Sequence, residues 1–98
     1  MKLKKLTPRH LREFDDKYQS LEEAEGKWNN FERAFLAAVW AGWFVESPNW
    51  PGPKSEKAEV IAYIDDMDLG HYTDLCTEIN KIYLTGRQSD TPPAKDPN

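Results

Sequence analysis

The side chains best equipped for chemistry in this chain stand close together in sequence: Asp65, Asp66, Asp68, His71 and Asp74. Carboxylates with a nearby imidazole have the composition of a hard-cation site, so a calcium loop is the first reading to weigh. Counted from Asp66, an EF-hand loop needs Asp or Asn where Gly70 stands, Gly where His71 stands and a bidentate Glu where Thr77 stands. All three positions fail. The same residues fit an interhelical loop in which Asp68 caps the next helix and its neighbours are solvated near a helix N-terminus. Neither a metal nor a cofactor is expected.

Nucleophiles and acid–base pairs are equally sparse. His10 and His71 lie far apart, and the single Cys76 falls on an apolar stripe, where a thiol behaves as a small hydrophobe. The chain has no Gly-rich phosphate loop, no GxSxG, no HExxH and no paired-Cys spacing. A non-enzymatic protein is the expectation, with a metal-dependent enzyme built on the Asp and His cluster ranking last among three hypotheses. One cysteine also forms no intramolecular disulfide, which places the chain in a reducing cytoplasm.

The elements that would position these residues read as helices. Ninety-eight residues make one domain. Thr7-Pro8 is an N-cap followed by Pro at the first helical position, and Leu11, Phe14, Tyr18 and Leu21 then recur at helical spacing. A second helix is expected from Trp28 to Val45, because Ala34 to Val45 holds twelve residues without a charge, the pattern of a buried central helix. Ser47 to Pro53 contains three Pro and a Gly around Trp50, so it is a stiff connection. A short third helix starts at Ser55 and buries Val60, Ile61 and Ile64. A fourth, capped by Asp68, carries Tyr72, Leu75, Cys76, Ile79, Ile82 and Tyr83 and ends at Thr85-Gly86. The expected fold is all-α: a small bundle of about four helices around a central apolar helix, over residues 1–86. Residues 87–98, with three Pro and no aliphatic side chain larger than Ala, read as a disordered Pro-rich tail.

Charge is distributed unevenly. The net value is −4, which disfavours direct nucleic-acid binding, and the mean hydropathy of −0.81 excludes an apolar span of about 20 residues. Residues 1–12 carry Lys2, Lys4, Lys5, Arg9 and Arg12 with no acid, hence +5, while the remainder sets eight bases against seventeen acids, hence −9. Between Glu56 and Glu78 seven acids face Lys57 alone, a local −6 that suits a basic partner or solvation of two amphipathic faces. The basic start reads as a solvated segment. Among the aromatics, Trp40, Trp43 and Phe44 fall on a different side of the expected second helix from Trp28, Phe31 and Phe35. That side is either core or, joined by Trp50 and rimmed by Asp65, Asp66 and Asp68, a protein-binding surface.

The order of these features resembles the small proteins of the tail-gene modules of long-tailed phages, of the tail assembly chaperone kind. The residues that carry the likeness are Leu6-Thr-Pro-Arg-His-Leu-Arg-Glu-Phe-Asp15, Ala37-Ala-Val-Trp-Ala-Gly-Trp-Phe44 with its Pro-bearing loop, Asp65-Asp-Met-Asp68, Leu75 to Tyr83, and Pro97-Asn98. The resemblance implies a protein-binding role in the host cytoplasm: holding the long helical tape-measure protein soluble while the tail tube grows around it, with a frameshifted longer form in part of the product. Its partner would be a tape-measure or tail protein, and homo-oligomers are compatible with it. The alternative is a phage-encoded inhibitor that blocks a host defence protein of the nucleic-acid-binding kind through the acidic face.

Overall fold

Thr7 opens the first helix in extended backbone (φ −121°, ψ 169°), with Pro8 at its first turn. The place of the Glu in a capping box is taken by His10, whose Nδ1 accepts the Thr7 backbone N–H at 3.0 Å and lies 2.9 Å from the Thr7 hydroxyl. In this computed structural model, which describes residues 2–23, 25–45 and 52–89, four helices follow one another: α1 (Pro8–Ser20), α2 (Lys27–Trp40), α3 (Lys57–Asp65) and α4 (Leu69–Ser89). The fold is all-α, as the periodicity requires. Among the described residues, the one extended pairing is an isolated antiparallel bridge between Leu3 and Phe44.

α2 is the hub, because α1, α3 and α4 all pack against it. Its residues Ala34 to Val39 are buried all round, which explains why this stretch carries no charged side chain. α4 runs antiparallel to it: Tyr72 meets the Phe35 ring at 5.4 Å, while Cys76 Sγ approaches the earlier Phe31 carbonyl at 3.7 Å. α1 is fastened at its middle and at its C-terminal end. Phe14 is fully buried, and the Tyr83 hydroxyl of α4 donates to Asp15 Oδ1 at 2.6 Å. At the C-terminal end of α1 the Arg33 guanidinium donates twice to the Tyr18 carbonyl, at 3.0 and 2.8 Å, and lies 3.9 Å over the Tyr18 ring. Arg33 is half-buried in this capping position.

The expected extent of the second helix, to Val45, is corrected: α2 ends at Trp40. Gly42 adopts φ +75°, its N–H donates to the Val39 carbonyl at 3.1 Å, and the Trp43 N–H donates to Ala38 at 3.0 Å, the paired bonds of a Schellman turn. The chain then runs back along the N-terminus, with Lys4 N–H donating to Trp43 O and Val45 N–H to Lys2 O, both at 2.9 Å. The basic start is thus tied down by its backbone and by half-buried Leu3 and Leu6, while the side chains of Lys2, Lys4 and Lys5 remain exposed.

α3 begins one residue later than expected. Glu56 is its N-cap and its N–H donates to the Glu59 carboxylate at 2.8 Å, while the Ser55 hydroxyl donates to the Gly52 carbonyl at 2.7 Å. Val60 is buried, with Ile61 and Ile64 half-buried. Asp68 caps α4 as predicted, its Oδ2 accepting the His71 N–H at 3.0 Å. The expected end of that helix is also corrected, since α4 continues through Thr85-Gly86 to Ser89. One interior Gly costs about 1 kcal/mol against Ala, too little to stop a helix anchored by five buried side chains upstream. The rest of the expected tail, residues 90–98, lies outside the described residues. None of the helices described is long and apolar enough to cross a membrane.

Candidate protein-binding groove

The aromatic residues singled out from the sequence separate into three cases. Of the two readings open for Trp43 and Phe44, the core is the one the fold selects, at 0% and 3% exposure, so neither offers a binding surface. Because the chain reverses at Gly42, Trp43 turns inward, stacks on Phe14 at 4.5 Å and donates its indole N–H to the His10 carbonyl at 2.9 Å. Phe44 meets Phe35 at 5.2 Å. Trp40 is half-buried and donates its indole N–H to the Ser55 carbonyl at 2.9 Å, fixing the start of α3 to the end of α2. Trp50 lies outside the described residues.

Trp40 belongs to an open groove of about 1190 Å³ between α1 and the turn that leaves α2. Its apolar part is made by Trp40, Ala41 and Gly42 with Pro8 and Pro53. Its rim is charged: Lys4, Arg9, Arg12 and Lys17, with Glu13 and Asp16 between them, all six exposed. Helical spacing places Arg9, Arg12, Glu13, Asp16 and Lys17 on one face of α1, and burying Phe14 in the core turns that face outward. Four bases against two acids make the groove locally positive in a chain of net −4. Sequence reasoning missed it, although the +5 of the first twelve residues was the signal.

The acidic candidates lie elsewhere. Asp65, Asp66 and Asp68 are exposed at the turn between α3 and α4, and none lines the groove. Asp68 serves as a helix cap, the structural part the sequence assigned it. Among the described residues no three His, Cys, Asp or Glu side chains converge as a metal site would require. Cys76 is fully buried, and burial first of all pushes its thiol up from 9.0 to about 11, against a partly opposing hydrogen bond with Tyr72. The Tyr72 hydroxyl is raised as well, chiefly by burial and then by Cys76. A thiol held protonated and out of solvent is a poor nucleophile.

The site therefore offers shape, apolar contact and charge. Such an arrangement can hold a polypeptide segment that presents an apolar face beside carboxylates. In comparisons with known proteins, the chain matches no protein-family model, no curated protein and no solved structure.

Proposed function

We propose that this chain is a non-enzymatic protein-binding module acting as a tail assembly chaperone for a phage tape-measure protein. The observation that supports this reading is the groove beside α1, with an apolar floor around Trp40 and a basic rim. A long helical protein awaiting assembly exposes amphipathic segments. Docking them into a groove removes apolar surface from water, while rim charge steers encounter and selects orientation. The sequence resemblance supports the same role, with the binding surface moved from Trp43 and Phe44 to the groove that Trp40 borders.

Co-expression with the tape-measure protein of the same tail module tests the reading. The tape-measure protein should shift from the insoluble to the soluble fraction and co-purify with the module. Arg12→Glu, on an exposed position of the groove rim, should weaken that capture without loss of helical signal. Unchanged solubility together with no co-purification overturns the proposal.

A further inference from the structure

The groove has a charge complement, and the complement is on the same chain. Seven acids between Glu56 and Glu78 face Lys57 as the single base of that stretch, and every one of them is exposed. At the turn between α3 and α4 three of them, Asp65, Asp66 and Asp68, immediately precede an apolar side chain, Leu69, which is 64% exposed, the most open of the large hydrophobic residues described. This corner is an apolar knob with an acidic rim. The groove inverts it, with an apolar floor at Trp40 and Pro53 and a basic rim at Lys4, Arg9, Arg12 and Lys17.

We propose that the protein associates with itself by this pairing, the acidic α3–α4 corner of one copy seating in the basic groove of a second. The corner lines no part of its own chain's groove, so the pairing is between copies. Two corners engaging two grooves reciprocally would close a twofold dimer. Where one contact forms without the other, the free groove and free corner at the two ends continue the chain of copies. Attraction between exposed charges is screened beyond about 10 Å at 0.1 M salt, so the association belongs to low ionic strength. The second copy uses the groove assigned above to the partner, but the inference does not need that partner and is tested on the protein alone. Failure of self-association leaves partner capture standing, and failure of capture leaves self-association standing.

The test is the molar mass of the full chain by sedimentation equilibrium, over about 10 μM to about 1 mM protein, at roughly 0.02 M and roughly 0.5 M salt. Mass should rise with concentration at low salt and fall to the monomer at high salt. The double variant Arg9→Glu, Arg12→Glu carries an acidic groove and corner, and Asp65→Lys, Asp66→Lys carries a basic groove and corner. Each should lose association about tenfold or more on its own. Mixing the two should restore it, because each then meets its opposite. All four positions are exposed, so both variants should remain helical, which circular dichroism checks. A wild-type chain monomeric throughout at low salt, variants that associate as the wild type does, or a mixture that fails to recover would each overturn the proposal.

Discussion

Inside α4 the Cys76 thiol sits at 0% exposure with Tyr72 one helical turn before it, and both are kept protonated mainly by burial. Such groups tie stability to alkaline pH in a definite direction. The folded thiol titrates at about 11 rather than 9.0, so between those values the unfolded chain sheds its proton while the native chain retains it. Its contribution is complete below pH 9.0 and is lost as pH rises through about 11, and Tyr72 acts in the same sense. The urea midpoint should therefore fall progressively across that window, and a Cys76→Ala variant should fall less steeply. A thiol reagent at neutral pH should label Cys76 only as fast as the chain opens, and labelling at the rate of a free thiol would contradict the burial. The two chemical candidates that proved structural, Cys76 and Asp68, were legible because each answered to local rules, a helical apolar stripe and an N-cap. Trp43 was not, because its direction depends on the backbone conformation of the residue before it.

That residue, Gly42, belongs to the scale of the element. From Ala34 to Val45 the sequence lacks the alternation of apolar and polar faces that marks where a helix stops, so periodicity alone carries the helix five residues too far. The end is set by the left-handed turn at Gly42, and a Gly inside an apolar run is a weak sign of a C-terminus. Everything downstream of that turn depends on it: the burial of Trp43 and Phe44, the bridge to Leu3 and the edge of the groove. Gly42→Ala isolates the backbone part of this dependence, since an added Cβ would meet Pro53 Cγ at 3.9 Å, an ordinary contact. The expected loss is about 1–2 kcal/mol from the left-handed conformation, read as a lower urea midpoint at unchanged slope. An unchanged midpoint would mean that the turn relaxes at no cost. At the same scale, Gly86 shows the opposite case: there a glycine in a helix anchored by upstream packing ends nothing.

Over the whole molecule two features were readable in advance, the central apolar helix and the separation of charge, because both are sums over long stretches of sequence. The groove was not, because its parts come from four places: Lys4 ahead of α1, one face of α1, the end of α2 at Trp40 with the turn at Ala41-Gly42, and Pro53 ahead of α3. Only the fold brings them together. The same hub arrangement makes a prediction about how the molecule comes apart. α1, α3 and α4 all pack on α2, whose Ala34 to Val39 are at 0–1% exposure, so that helix cannot open without exposing the faces of its neighbours. Native-state hydrogen exchange should find the slowest amides there, with opening free energies equal to that of global unfolding. α3 has nine residues and Val60 as its one fully buried side chain, so its amides should exchange through a smaller, local opening. The contrast should persist in the charge-reversed variants, because their substitutions lie on exposed positions outside the core. Protection in α3 equal to that in α2 would mean instead that the four helices open as one unit, with the α2–α3 connection and its Trp40 to Ser55 hydrogen bond as the coupling.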